Sequence, residues 1–485
     1  MITRDPVDKC SPDSEFMSEY WELADTLIDG TNAIRLAGEK YLPKFPDEDA
    51  DSYKYRLKMT KFTNIYRDVV EALAVKPFEE SVTLSDGSVP SQISEFIVDV
   101  DGGGSDLTTF AASVFFNGVN SAIDWIFVDY PSVEPGTIRT VAEQKAAGVR
   151  PFWSHVLARN MLEARSSVVV GNERLDYVRI MEPGSPHRVR IIRRYGDAVV
   201  WFLLEKTDFE RVPDADWLYV PAGKDDKTLY VEIGRGQLSI NVIPLVPFWT
   251  GRRNGRTWRF APAMRDAADL QIELYQEESA LKFARTMTAF PILTGNGVRP
   301  SMLEDGKTPK KLRIGPNLVL YAPPDAAGNV GSWAFVEPSS TSLKFLADHI
   351  KDTISQLREL GRQPLTAQSG NLTVITTAVA AGKAKSAVGS WAKGLEVALN
   401  AALAITGLFY GLPDYKPTTN VYDDFDEFDA SGKDLEELSK ARANKDLSQK
   451  TYWQELKRRR VLCDEFNAET EIEELLNETP SGEGA

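Results

Sequence analysis

The spacing of apolar positions changes character several times along this 485-residue chain. In Asp51–Lys76, Met59, Phe62, Tyr66, Val69 and Leu73 recur every three or four residues, which predicts one amphipathic helix stopped by Pro77. A shorter helix is predicted over 18–28 (SEYWELADTLI), before the turn signal Asp29-Gly30, and another over Leu107–Asn117 with Ser105 or Asp106 as N-cap. The period then shortens. AIDWIFVDYP (122–131) reads as a strand closed by proline, and Ser166–Phe248 holds the β-rich runs SSVVVG, RVRIIRRY, AVVWFLLEK, TLYVEI and LSINVIPLVPF. Turn clusters such as PAGKDDK separate them, so this part is antiparallel β or α+β.

Helical spacing returns at Pro262, a good first-turn residue. Phe260, Ala263, Ala267, Leu270, Leu274, Leu281 and Ala284 fall on a heptad-like line broken at Glu277. At ~1.5 Å per residue, Pro262–Arg285 makes a rod of about 36 Å. A short β-like insert covers Pro291–Val336, and a second rod covers Ser342–Leu360, with Leu343, Leu346, Ile350, Ile354, Leu357 and Leu360 on one side. Trp391, Leu395, Ala398, Ala402, Ile405 and Phe409 predict a third long helix over Ile375–Leu408. After the acidic linker DDFDEFDASG (423–432), two short helices fit Asp434–Asn444 and Ser448–Arg459, and the tail NETPSGEGA has a disordered composition.

The net charge is −15, and the last 65 residues hold 18 acids against 9 bases, so −9 of it lies there. An acidic chain does not gather DNA by counterion release, though it can surround DNA without adhering. The longest apolar run, near Leu399–Leu412, reads as too short and interrupted to span a bilayer. The opening MITRDPVDK lacks the apolar stretch of a signal peptide, and Cys10 and Cys463 offer neither a disulfide framework nor a metal cluster, so an intracellular, reducing setting is expected.

Catalytic signatures are missing. His155, His187 and His349 lie in separate segments without a second ligand at metal spacing, and P-loop, nucleophile-elbow and HExxH motifs do not occur. DVDGGGSD (99–106) places Asp99 and Asp101 as a calcium loop would, but Gly103 and Phe110 occupy the fifth and twelfth positions, so a flexible linker is expected. FWTGRRNGRTWRF (248–260) interleaves Phe248, Trp249, Trp258 and Phe260 with Arg252, Arg253, Arg256 and Arg259. In an acidic chain this mixture predicts a protein interface rather than a nucleic-acid clamp. Asp266, Asp269, Glu273 and Glu277 step by three and four along the first rod as a carboxylate ladder, which by itself reads as a solvated helix face.

The order of these segments resembles the portal (head-to-tail connector) proteins of tailed bacteriophages. The resemblance is carried by TLIDGTNAIRLAGEKYLPKFPDEDADSYKYRLKMTKFTN (26–64), FVDYP (127–131), IPLVPFWTGRR (243–253), PAMRDAADLQIELYQ (262–276) and IGPNLVLYAPP (314–324). AVAAGKAKSAVGSWAKGLEVALNAAL (378–403) and LSQKTYWQELKRRRVLCDEF (447–466) extend it over nearly the whole chain. It implies an α+β subunit of a ring of 12 at one capsid vertex, with double-stranded DNA passing through the channel without sequence specificity. Implied partners are a terminase motor, head-tail adaptor or tail proteins and the capsid protein, with no cofactor, no metal, no membrane and no catalysis by this chain. The implied location is the virion, after assembly in the host cytoplasm.

In that frame 1–260 and 378–430 form the wing, 261–286 and 341–361 the stem helices, 287–340 the clip, 362–377 the tunnel loop and 431–485 the helical crown and tail. Asp266, Asp269, Glu273 and Glu277 would line the channel, and Trp249, Arg252, Arg253 and Arg256 would lie at a subunit boundary. The tunnel loop would present Arg362, Gln363, Thr366, Gln368, Ser369, Asn371 and Thr373, a set with one charge, unlike the family pattern. Such small polar residues neither grip nor repel a passing duplex. The rival expectations are another phage structural or adaptor protein, and a hydrolase using paired carboxylates.

Overall fold

The computed structural model describes residues 2–3, 7–85, 89–131, 148–208, 218–219, 228–289, 292–298, 330–336, 340–362, 374–423, 432–444, 446–458 and 461–462. The chain divides into Met1–Asp423 and Asp424–Ala485. The division falls in the acidic run expected to be a linker, although 424–431 lie outside the described residues.

The larger unit opens with β1 (Ile2–Thr3), α1 (Pro12–Asp29), α2 (Thr31–Ala37), α3 (Ala50–Met59) and α4 (Ile65–Val75). β2 (Thr83–Leu84), α5 (Ser91–Phe96) and α6 (Leu107–Ser121) follow. Strands then dominate: β3 (Ile123–Asp129), β4 (Phe152–Val156), β5 (Met161–Val169), β6 (Asn172–Glu182), β7 (Arg188–Tyr195), β8 (Ala198–Asp208), β9 (Leu218–Tyr219), β10 (Thr228–Gln237) and β11 (Leu245–Trp249). A small hairpin, β12 (Arg252–Arg253) with β13 (Phe260–Ala261), leads into α7 (Arg265–Ala289). The strands β14 (Ile292–Asn296) and β15 (Ser332–Val336) pair antiparallel between α7 and α8 (Ser340–Arg362). α9 (Val374–Phe409) and β16 (Thr419–Asn420) complete the unit. The smaller unit contains α10 (Gly432–Ala443) and α11 (Gln449–Arg458), where Ser448 caps α11 by accepting from Thr451 N–H at 3.1 Å.

The result is a mixed helix-and-sheet fold, as expected for an α+β chain. The larger sheet has seven strands in the order β1-β9-β10-β8-β7-β6-β5. All of its pairings are antiparallel except β1 with β9. Val7, Leu162, Val189, Leu204 and Tyr230 form its buried cluster. The smaller sheet, β11-β3-β4, packs against α6 and α9. Phe248 on β11 lies so close to α6 that a Cβ at Gly118 would sit 2.3 Å from its ring, and it also approaches Gly394 on α9. Trp153 on β4 is edge-to-face with Phe96 and Phe110 and donates from Nε1 to Thr406 on α9 at 2.9 Å.

Several expectations change. The first helix begins at Pro12 rather than Ser18, because Ser11 accepts from Ser14 N–H at 3.2 Å and Pro12 suits the first turn. The single helix expected over Asp51–Lys76 is two. Thr60 leaves helical geometry at the end of α3, and Asn64 starts α4 by accepting from Arg67 N–H at 3.0 Å. α7 holds the intervening turn. Fully buried Gln271 accepts from the N–H groups of Ile65 and Tyr66, each at 2.9 Å, and donates to the Thr63 carbonyl at 2.9 Å. Glu278 accepts from Thr63 N–H at 3.1 Å, and Ser279 meets Thr60 at 3.0 Å and Arg56 at 3.1 Å. Tertiary bonds thus replace the helical bonds that a continuous helix would have made.

DVDGGGSD is not a flexible linker. Asp99 accepts from Gly102 and Gly104, Asp101 from Gly103 and Ser105, and Asp106 caps α6 through Thr109 N–H at 2.8 Å. Burial opposes the Asp101 charge, yet the Ser105 hydroxyl and these N–H groups hold its pKa down to about 2. The buried face of α7 is also rotated from the expected line. Met264, Ala267, Ala268, Gln271, Leu274, Tyr275, Ser279 and Leu281 are buried, whereas Ala263, Leu270 and Ala284 are half-exposed.

Ala387–Phe409 of α9 does have the length and apolar composition to cross a membrane, contrary to expectation, with 44% of that stretch buried within the protein. Trp391, Leu395, Leu399 and Leu403 supply the buried side that packs on the β11-β3-β4 sheet, which accounts for the composition as that of a core helix. The expected tail 477–485 lies outside the described residues.

The cap on α4 gives a first prediction. Gln271→Leu strands two buried N–H donors and one carbonyl, so unfolding free energy should fall by about 3 kcal/mol in urea titrations. Asp266→Ala, on the exposed side of the same helix, should change it by no more than ~0.5 kcal/mol. Equal effects of the two substitutions would remove Gln271 from this role.

Candidate functional site

The acidic ladder belongs to the side of α7 that intrachain packing leaves open. Asp266, Asp269 and Glu273 are exposed, and Asp269 accepts from Arg265 at 3.0 Å. Glu277 differs. It is half-buried between α7 and α8, where its Oε1 lies 3.0 Å from His349 Nε2. Burial raises the Glu277 pKa, the His349 ring opposes that rise, and the carboxylate of Glu273 adds to it. The four residues therefore share a helix, but only the first three form an open anionic strip.

The aromatic–arginine stretch folds into the β12–β13 hairpin. Thr250 and Gly251 anchor its base by donating to the Ala122 carbonyl, each at 3.0 Å. Arg253 is committed within the chain. Its two terminal nitrogens reach Glu173 on β6 at 2.9 and 2.7 Å, and its guanidinium covers the Trp258 ring at 4.2 Å. The Arg253 pairing is the main cause holding the Glu173 carboxyl below the usual range. Arg259 donates to Asp13 at 2.7 Å, tying the hairpin to α1. Trp249, Arg252 and Arg256 remain exposed. Of the four predicted boundary residues, three are thus presented outward and one is an internal strut.

The expected tunnel-loop residues Gln363, Thr366, Gln368, Ser369, Asn371 and Thr373 lie outside the described residues, and Arg362 is the last residue of α8. Most of the expected clip, including 314–324, also lies outside them; β14 and β15 mark its two ends.

A polar cluster that sequence reasoning missed sits under α1 and α6. Tyr20 donates to the Asn120 carbonyl at 2.8 Å, Tyr66 donates to the Asn120 side chain at 3.0 Å, and Asn120 reaches Asp25 at 3.4 Å. Arg159 closes it on Asp25 at 2.6 Å. Nearby, fully buried Asp124 on β3 pairs with Nε2 of His155 on β4. Burial pushes the Asp124 pKa up to about 6, with the His155 contact pulling the other way. Asp124 Oδ1 has no hydrogen-bond partner among the described residues. His155 otherwise meets the Phe110 ring, so no nucleophile completes a catalytic dyad among the described residues. His187 is exposed between strands β6 and β7. The only trace of Asp124 in the sequence is an acid near the start of the apolar strand IDWIFVD.

A family model described as a domain of unknown function, DUF4055, matches residues 263–409, a span running from just before α7 to the end of α9. No curated protein matches the chain. Among solved structures, one similar chain comes from the neck of an empty GTA particle computed with C6 symmetry, at 12% identity and TM-score 0.40, covering 84% of this chain and 92% of that one. Another comes from the neck of a native GTA particle computed with C12 symmetry, at 12% identity and TM-score 0.36, covering 86% and 96%. At such TM-scores neither likeness carries a functional argument.

The Asp124–His155 pair sets a pH dependence. A carboxyl whose pKa is higher folded than unfolded stabilises the fold fully below the unfolded value and loses that contribution as pH rises through the folded one. For Asp124 the window runs from the ordinary value of 3.8 to about 6. Wild-type stability should therefore carry a declining component of about 3 kcal/mol across it. Asp124→Asn should lack that component in urea titrations at a series of pH values. Parallel wild-type and variant profiles would show that Asp124 titrates normally.

Proposed function

We propose that this chain is a portal-type subunit of a tailed-phage head-to-tail connector. In this reading it forms a ring, of twelve chains by the resemblance of segment order, around a channel for double-stranded DNA. A terminase motor would drive packaging through that channel, adaptor or tail proteins would dock below it, and the capsid protein would surround it. The chain itself performs no catalysis.

The observation that supports this reading most is the arrangement spanning α7 to α9. Two long helices run antiparallel, with Glu277 facing His349, and a β14–β15 pair joins their far ends. A third long helix follows after 363–373, and a separate helical unit follows Asp423. In this reading the order corresponds to stem, clip, stem, tunnel loop, wing helix and crown. α7 has one face consumed by α3, α4 and α8, and its open side carries Asp266, Asp269 and Glu273 along the first half and Lys282 and Arg285 near the end. An acidic face suits a conduit for a polyanion, because phosphate contacts there are repulsive rather than adhesive.

Light scattering and negative-stain imaging of the purified full chain test the assembly directly. Rings with a central hole, about twelve times the 54.0 kDa chain mass, are expected. A stable monomer at micromolar concentration in near-physiological buffer would overturn the reading. The channel assignment has its own test. Asp266→Lys reverses one exposed carboxylate in every subunit and leaves the Arg265–Asp269 pair and the Glu277–His349 contact in place. Rings should still form, and should now retain duplex DNA at low salt and release it as salt rises. Intact rings with unchanged DNA retention would place the ladder away from the lumen.

A further inference from the structure

Sequence places Glu277 and His349 72 positions apart, yet the fold brings Glu273, Glu277 and His349 to one point. One ligand-capable atom from each lies within 4.8 Å of the others. Glu273 and Glu277 are one turn apart on α7, and His349 comes from the facing helix α8. Glu277 has one oxygen 3.0 Å from His349 Nε2, while its other oxygen is buried without a hydrogen-bond partner among the described residues. Two carboxylates thus face one imidazole, with an orphaned acceptor oxygen shut away from water. Buried acceptors left unpaired are costly, and neighbouring like charges add to that cost.

We propose that Glu273, Glu277 and His349 form a divalent transition-metal site, of the zinc type, that clamps α7 to α8. The geometry suits such an ion. With bond lengths of about 2.0–2.2 Å, ligand atoms of a tetrahedral site stand about 3.3–3.5 Å apart, so the observed spacing closes with small side-chain rotations. An imidazole with two carboxylates favours zinc over calcium or magnesium, which require six or more oxygens or a largely hydrated octahedral shell. Three protein ligands leave a fourth position for water. The ion would supply a partner for the orphaned oxygen and offset two charges of the ladder. This inference does not rest on the ring reading.

The test uses the full chain after EDTA treatment, at pH 7.5, with zinc chloride as the probe and magnesium and calcium chlorides as controls. Calorimetry should show about one saturable zinc per chain, thermal unfolding should shift upward with zinc, and the hard cations should do neither. Zinc-edge X-ray absorption should report nitrogen and oxygen ligands without sulfur, which separates this site from Cys10 and Cys463. His349→Ala and the near-isosteric, exposed-site Glu273→Gln should each weaken zinc by ~10-fold or more and abolish the thermal shift. Circular dichroism establishes that the variants are folded, and the Gln variant keeps the test decisive if the Ala variant is not. Absence of zinc binding, sulfur in the coordination shell, or wild-type affinity in folded Glu273→Gln would each overturn the proposal.

Discussion

The side chain of Gln271 settles how the larger unit is put together. Its amide fills the place that a preceding helical turn would fill at the start of α4, accepting two N–H groups and returning a donor to the Thr63 carbonyl. A free helix start leaves four N–H groups to be satisfied, and burial makes each omission expensive. Asn64 caps Arg67 locally, and docking of α7 supplies the acceptor for the Ile65 and Tyr66 N–H groups that the break at Thr60–Asn64 leaves open. Arg56 reinforces the joint. It is buried, bonds Ser279 on α7 at 3.1 Å, and is balanced by Glu48 at 2.7 Å. A pair of this kind is costly to break and gives docking one register. The buried face of α7 is therefore fixed by polar geometry as much as by its apolar residues.

From that joint the remaining surfaces follow. α8 packs on both α7 and α4, so the helix pair is continuous with the N-terminal helices rather than a free arm. The β11-β3-β4 sheet carries the order onward through Phe248, which meets α6 where Gly118 offers no Cβ, and through Trp153, bonded to α9. The β12–β13 hairpin then leaves the sheet with Arg253 already satisfied by Glu173 and Trp258. What this leaves outward is Trp249 at the end of β11 and Arg252 and Arg256 on the hairpin.

Legibility in the sequence followed the range of the forces involved. The long helices α7, α8 and α9 were readable because their apolar spacing is local and sustained. In the larger sheet β7, β8, β10 and the end of β5 were readable from apolar runs and turn clusters, whereas β6, with charged residues throughout NERLDYVRIME, and the two-residue β1 and β9 were not. The split of α3 from α4 was not, since the stripe Met59–Leu73 continues across the break and the groups that enforce it lie more than 200 positions away. Gln271 did leave a trace, as a polar residue beside the predicted apolar line. The Asp-rich loop misled because glycines suggest freedom, whereas Asp99 and Asp101 bond that backbone at every turn. The candidate ladder was visible as spacing, but its division into an open strip and a Glu277–His349 contact depends on α8, which spacing within α7 cannot report. Arg253 was visible as one of several arginines, and only the fold separates it from Arg252 and Arg256.

These placements constrain how copies of the chain can meet. Most of the apolar side chains of α7 already pack on α3, α4 and α8, while Phe283, against Phe45, stays exposed. The face that remains carries Asp266 and Glu273 without an ion pair among the described residues. Two such faces brought together would juxtapose like charges in a dehydrated interface, which is strongly unfavourable. A neighbour could cover the strip only by bringing bases, and the hairpin that carries Arg252 and Arg256 is an exposed source of them. Otherwise the strip must face water. In a closed ring, a water-facing strip on an inner helix becomes a band of negative potential repeated by symmetry, felt over roughly the Debye length of about 8 Å at physiological salt. In the proposed ring the same carboxylates would act as a barrier to adhesion, or as one half of a subunit contact if the arginines of the β12–β13 hairpin reached them.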